Sequence, residues 1–172
     1  MISAVTRVAV KGAFFDLDLT LVDSRISASA RKSRNWAEVY SLVPQFTVFP
    51  GVRESLEDLR TRLRLGVVSN GPRPYVTRVL QHFALNISDT ACYHDTASHK
   101  PAPDPILHLA NRLALKPAEV AYIGDEPNDI RAANAAGVFA IAATWGTNSI
   151  DDLLQAKPDA FARTPRDLLE II

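Results

Sequence analysis

Two groups of acidic residues sit directly after short apolar runs. In AVKGAFFDLDLTLVDS, residues 9–24, the run from Ala13 to Phe15 is followed by Asp16, Asp18 and Asp23; in VAYIGDEPNDI, residues 120–130, Asp125 and Asp129 follow in the same way. Carboxylates that converge at the ends of neighbouring strands repel one another unless a cation lies among them. Hard oxygen ligands of this kind suit magnesium, which keeps several waters and takes one or two carboxylates directly. A magnesium ion beside a free carboxylate points to phosphoryl chemistry, in which the metal offsets charge and aligns the transferring group. One aspartate then attacks phosphorus to give an aspartyl-phosphate. A second acid two positions along an extended chain points to the same side, where it protonates the leaving oxygen and later activates water.

Two further places suit an anionic substrate. Ser69-Asn70-Gly71 precedes a helix that begins near Pro72 to Pro74, where hydroxyl, amide and free backbone N–H groups can hold phosphate oxygens. Lys100, in SHKPAPD, precedes another helix and supplies positive charge.

The elements that must position these residues alternate along the chain. Apolar runs predict strands at Val8–Phe15, Leu65–Ser69, Val120–Gly124 and Val138–Ala142, each too uniformly apolar for a sheet with one wet face. Helical spacing predicts helices over Val52–Leu63, with Val52, Leu56, Leu59 and Leu63, over Pro74–Phe83, with Val76, Val79, Leu80 and Phe83, and over Pro103–Leu113, with Ile106, Leu107, Leu109, Ala110 and Leu113. A fourth helix over Asp129–Ala136 stops at Gly137. Such alternation predicts an α/β fold, a doubly wound and mainly parallel sheet flanked by helices, with its ligand beyond the carboxyl ends of the strands. Residues 24–49 interrupt the alternation, carry Arg25, Arg31, Lys32 and Arg34, and leave room for one short helix over 29–42. The domain reading is one core, residues 1–172, with a short insertion at 24–49.

FFDLDLTLVDS, VVSNG, HKPAPDP and YIGDEPNDIRAANAAG, in that order, resemble the four motifs of the haloacid dehalogenase superfamily, in particular its phosphoglycolate-phosphatase-like hydrolases. That resemblance implies a Rossmann-like core and a magnesium-dependent phosphatase with Asp16 as nucleophile and metal ligand. Asp18 would be the general acid/base, binding the metal through its backbone carbonyl, and Thr20 would steady the loop. Ser69, Asn70 and Lys100 would hold the phosphoryl group, Asp125 would complete the metal site, and Asp129 would orient Lys100 or a metal-bound water. Two departures stand out: Leu19 occupies a position where relatives often carry glycine or a polar residue, and the cap insertion is cut to residues 24–49. A short cap leaves the crevice open unless a neighbouring subunit of a homo-oligomer covers it.

The whole chain narrows the field. Nineteen basic and nineteen acidic residues cancel over 172 positions, so no global field favours nucleic acid or an anionic membrane. Cys92 is the single cysteine, which leaves no internal disulfide and no thiolate zinc cluster. The amino terminus lacks a secretory pattern and no run reaches the ~18 apolar residues of a membrane span, so a cytoplasmic protein acting on a phosphorylated small molecule is expected. By the resemblance, a dehalogenase would lack the acid at Asp18, and a binding or scaffold protein that had lost turnover would usually carry a substitution among Asp16, Asp18, Lys100 and Asp125. The basic residues of the insertion either line the mouth or form a solvated face, and Trp36 and Tyr40 are expected to pack the insertion down. His82, His94, His99 and His108 show no metal-ligand spacing, Asp23 closes the loop into the insertion, and Trp145 is expected at the core or rim.

Overall fold

The computed structural model describes residues 8–172; MISAVTR, part of the stretch read above as lacking a secretory pattern, lies outside the described residues. In chain order the elements are β1 (Gly12–Phe15), β2 (Val22–Asp23), α1 (Ala28–Lys32), α2 (Trp36–Leu42), β3 (Thr47–Val48), α3 (Val52–Arg60), β4 (Arg64–Val68), α4 (Arg73–His82), β5 (Asp89–Ala91), α5 (Asp104–Arg112), β6 (Val120–Gly124), α6 (Pro127–Ala136), β7 (Phe139–Ala143), α7 (Ile150–Gln155), β8 (Ala160–Ala162) and α8 (Leu168–Ile171). Six strands form one parallel sheet in the order β5-β4-β1-β6-β7-β8.

The uniformly apolar strands are explained by cover on both faces. Ala13, Phe15, Val67, Ala121 and Ile123 pack with Leu56 and Leu59 of α3, Val76 and Val79 of α4 and Leu168 of α8. Phe14, Val68, Tyr122 and Ala140 point the other way, onto Ile106 and Leu109 of α5, Ile130 and Ala133 of α6 and Leu153 of α7. The alternation along each strand thus divides one apolar run between two cores.

β1 lies between β4 and β6, the place where strand order reverses, and Phe15 is level with Val67 on one side and Ile123 on the other. Asp16, Ser69 and Asp125 therefore leave the sheet at one edge, and the Asp16 amide donates to the Ile123 carbonyl at 2.9 Å.

Three expectations need correction. The first strand starts at Gly12 rather than Val8, because the Val8 amide donates to the Ile171 carbonyl at 2.9 Å instead of joining the ladder. The sheet gains two edge strands, β5 and β8, of three residues each. The insertion holds two α-helices, because Arg34 adopts a φ of 57° and the Asn35 side chain accepts from the Glu38 amide, starting α2 afresh. A two-residue antiparallel ribbon of β2 and β3 closes its base. α6 stops as expected, at Gly137 with a φ of 71°.

The loop after β7 braces the loop after β1. Trp145 Nε1 donates to the Thr20 carbonyl at 2.9 Å, and a Cβ on Gly146 would lie 1.6 Å from the Leu19 carbonyl oxygen. Leu19 itself has a φ of 62°, which for a residue with a side chain costs about 1–2 kcal/mol. The departure from glycine at this position is therefore felt in the backbone.

The two close approaches predict different costs. Gly66→Ala collides with Leu109 and Phe14 side chains, which can shift, whereas Gly146→Ala collides with backbone. The midpoint of thermal unfolding is expected to fall by about 2–12 °C for Gly66→Ala and by more for Gly146→Ala, taking about 1–3 kcal/mol for overpacking.

Candidate functional site

Lys100 is the hub of the sheet edge. Its Nζ lies 2.8 Å from Asp16 Oδ1 and 2.7 Å from Asp129 Oδ1, and it also donates to Tyr122 Oη at 2.9 Å and to the Val68 carbonyl at 3.2 Å. Burial opposes the charged ammonium, but Asp129 and Asp16 outweigh it and hold the Lys100 pKa well above its ordinary value. The backbone on both sides of Lys100 is tied to the Ser69 loop: the Lys100 amide donates to Asn70 Oδ1 at 3.2 Å, and Asn70 Nδ2 donates to the Lys100 carbonyl at 3.1 Å. Ser69 Oγ accepts from the Gly71 amide at 3.0 Å.

Asp125 is 1% exposed and Asp129 2%. One oxygen of Asp125 accepts from Thr20 Oγ1 at 2.7 Å. The other, Oδ2, is buried with no hydrogen-bond partner. Carboxylate oxygens of Asp16, Asp125 and Asp129 all lie within 4.8 Å of one another. A buried carboxylate oxygen without a donor, beside two more carboxylates, is what a hard divalent cation satisfies, so these residues fit a magnesium site. Without such an ion, burial above all raises both acids: Asp16 to about 7, with Asp129 and Asp18 adding repulsion against the lowering effect of Lys100, and Asp125 to about 9, with Asp16 and Asp129 repelling it.

Asp18 faces different company. Its Oδ1 accepts from Ser24 Oγ and from Tyr75 Oη, both at 2.5 Å, and pairs with Arg31 Nη1 at 2.5 Å. Asp18 is thus absent from the carboxylate cluster, although it lines the same cleft.

That cleft measures about 320 Å³ and is lined by Asp16, Asp18, Ser69, Asn70 and Lys100 together with residues of the insertion. The structure divides the basic residues of the insertion. Arg31 and Arg34 line the cleft, Arg25 pairs with Asp23 and donates to the Gly146 carbonyl at 3.3 Å, and Lys32 is exposed. Trp36 packs against Tyr75 and Tyr40, with ring centroids 5.6 and 6.4 Å apart, and also reaches the cleft wall. His94 is at the cleft and His99 stacks on Tyr93 at 3.8 Å.

A model of the haloacid dehalogenase-like hydrolase family matches residues 28–143. The chain belongs to that family. The matched span carries Ser69, Asn70, Lys100, Asp125 and Asp129 and begins after the Asp16–Thr20 loop. The chain is 35% identical over 125 residues to the phosphoglycolate phosphatase of Escherichia coli strain K12, covering 71% of this chain and 50% of the relative. It is 36% identical over 138 residues to that of Synechococcus elongatus, covering 76% and 61%. The chain therefore spans only half to three-fifths of the length of these relatives. Among solved structures, a predicted phosphoglycolate phosphatase from Haemophilus somnus 129pt superposes with a TM-score of 0.83 at 24% identity, covering 94% of this chain and 97% of that one. A subfamily IA hydrolase of the same superfamily from Geobacter sulfurreducens gives 0.76 at 21%, covering 94% and 96%. At these identities the likeness establishes the shared Rossmann-like fold.

Sequence reasoning gave no role to Tyr75 or Tyr122. A tyrosine inside an otherwise apolar strand, as Tyr122 is in VAYIG, must find a partner for its hydroxyl when buried, and that signal was available. Here the partners are Lys100, Asp129 Oδ1 at 3.1 Å and the Val68 carbonyl at 3.2 Å. Tyr75 carries no comparable signal, because its partner lies 57 residues away.

The raised carboxyls predict how stability varies with pH when no metal is bound. An acid whose folded pKa exceeds its unfolded value of 3.8 binds more protons in the folded state, so stability falls as pH rises from about 4 toward 7 for Asp16 and 9 for Asp125. Each group contributes a slope of up to about 1.4 kcal/mol per pH unit. Thermal unfolding in chelator is expected to show a midpoint that drops from pH ~5 to ~9, and a shallower drop in Asp125→Asn, which keeps an acceptor for Thr20 but no longer titrates.

Proposed function

We propose that the chain is a magnesium-dependent phosphomonoester hydrolase that works through an aspartyl-phosphate at Asp16. The observation that carries this reading is the single cleft in which Asp16, Asp18, Lys100, Ser69 and Asn70 meet, next to the buried and partnerless Asp125 Oδ2.

Asp16 attacks phosphorus as the ester P–O bond breaks, and the departing alcohol oxygen takes its electron pair and a proton from Asp18. Water then attacks the aspartyl-phosphate and gives a proton back to Asp18, which releases inorganic phosphate and restores Asp16. Lys100 lies 2.8 Å from Asp16 Oδ1, where its charge stabilises the carboxylate and the equatorial oxygens of the transferring group. Ser69 Oγ presents a donor to those oxygens, with the Asn70 backbone N–H beside it, while the Asn70 side chain locks this turn to the Lys100 loop. Asp16, Asp125 and the Asp18 carbonyl would hold magnesium, with Asp129 keeping Lys100 in place; when bound, the ion offsets phosphoryl charge. Thr20 fixes the orientation of Asp125.

The insertion acts as a minimal cap over residues 24–49 on a single core domain. Arg34 in the cleft wall, whose charge has no carboxylate partner among the described residues, favours a small anionic substrate, and phosphoglycolate is the first compound to test because the curated relatives are named for it. A homo-oligomer could add further cover. No helix among the described residues is long and apolar enough to cross a membrane, and the lone, buried Cys92 suits the reducing cytoplasm.

Phosphate release from a panel that includes phosphoglycolate and p-nitrophenyl phosphate, with and without magnesium, tests this reading. Wild type is expected to turn over at least one ester only with the ion, and Asp16→Asn to lose activity by at least about 10³-fold with the fold intact by circular dichroism. A wild type silent across the panel refutes it.

A further inference from the structure

We propose that Arg31 and Tyr75 are positioning residues for Asp18, which makes the short insertion a working part of the acid/base apparatus and not only a cover. The inference rests on the phosphatase reading above and assigns the regulation of geometry at that same site.

Two residues of the insertion and one of the core helix α4 converge on one oxygen. Ser24 at the base of the insertion, Arg31 on α1 and Tyr75 on α4 each place a donor 2.5 Å from Asp18 Oδ1. Asp18 Oδ2 receives none of them. A carboxylate gripped at one oxygen from three directions cannot rotate, and its other oxygen is the one left for a reacting group in the cleft that Asp18 lines. General acid/base work depends on that orientation, because the proton must travel along a short line to the leaving oxygen.

The grip is itself rigid. Tyr75 is fully buried; its ring rests 5.6 Å from that of Trp36, and a Cβ on Gly71 would come within 2.9 Å of it. The Arg31 side chain is 20% exposed, its charge pairs with Asp18, and its Nε is buried without a hydrogen-bond partner. A guanidinium removed this far from water requires an anion, and Asp18 supplies it. α1 is thereby moored to the acid it positions.

A merely structural ion pair would weaken every substrate alike, whereas a positioning role depends on the leaving group. An ester with a good leaving group, p-nitrophenyl phosphate, needs little proton donation as the P–O bond breaks; an alkyl ester such as glycerol phosphate needs much. The experiment is kcat/KM on both esters, with magnesium, for wild type, Asp18→Asn, Tyr75→Phe, Arg31→Met and Arg31→Lys. Asp18→Asn is expected to lose far more on the alkyl than on the aryl ester. Tyr75→Phe and Arg31→Met are expected to follow that pattern at smaller amplitude, about tenfold on the alkyl ester and about twofold or less on the aryl one, with Arg31→Lys recovering part of the loss.

Equal losses on the two esters, or no loss while Asp18→Asn remains selective, overturn the positioning role and leave the phosphatase reading standing. A wild type that hydrolyses neither ester nor any other on the panel removes the phosphatase reading and this inference together, and so is told apart from the first two results.

Discussion

The ammonium of Lys100, buried between Asp16 and Asp129, is the contact on which the sheet edge depends. Parallel strands that end level with one another bring their following residues together, here Asp16 and Asp125, and the first turn of α6 adds Asp129, all three with carboxylate oxygens within 4.8 Å of one another. Like charges at that spacing, out of water, are strongly unfavourable. One lysine, held at four points by Asp16, Asp129, Tyr122 and the Val68 carbonyl, offsets part of that repulsion and links β1, β4 and β6 through side chains as well as through the ladder. What it leaves unbalanced is Asp125, whose Oδ2 has no donor. The cluster is thus held together yet left with one buried, unsatisfied carboxylate oxygen, which a cation would satisfy.

The same lysine explains why the surrounding loops are so closely fitted. Asn70 and Lys100 exchange two hydrogen bonds, so the turn before α4 and the loop before α5 move as one unit. Gly124 shows the equivalent economy of space at β6: a Cβ there would fall 2.3 Å from the Asp129 Cβ, so only glycine allows α6 to start near enough for Asp129 to reach Lys100. On the opposite side Trp145 and Gly146 press on the Leu19–Thr20 backbone, and Thr20 in turn orients Asp125. Leu19 keeps its left-handed conformation because the surrounding contacts over-determine it.

The legible part of this molecule was its long-period pattern. Runs such as VAYIG and helices with apolar residues three and four apart declare a parallel α/β sheet, and acids placed after two of those runs declare where the site lies. β5 and β8 were not legible, since DTA and AFA carry no run to recognise and exist as strands only because a neighbour offers a ladder. The single helix expected in the insertion became two because the local chemistry of Asn35 outweighs a continuous helical reading of 29–42. The partners of Asp18 were invisible for a more basic reason: Arg31 looks like any other member of a basic helix, and its pairing is decided by how the insertion docks.

That docking changes what a short insertion means. A large cap controls water by closing over the site, and losing most of its length would be expected to leave the chemistry exposed. In this chain residues 24–49 are tethered at their base by the β2–β3 ribbon, packed through Trp36 against Tyr75, and fastened by Arg31 to Asp18. A further tie reaches across the opening: the Arg34 guanidinium lies over the Tyr93 ring, 5.6 Å from its centroid, on the far rim of the cleft. The short insertion thus reaches both Asp18 and the opposite rim, so under the phosphatase reading proposed above it would fix the acid and narrow the cleft mouth without the closing step of a large cap.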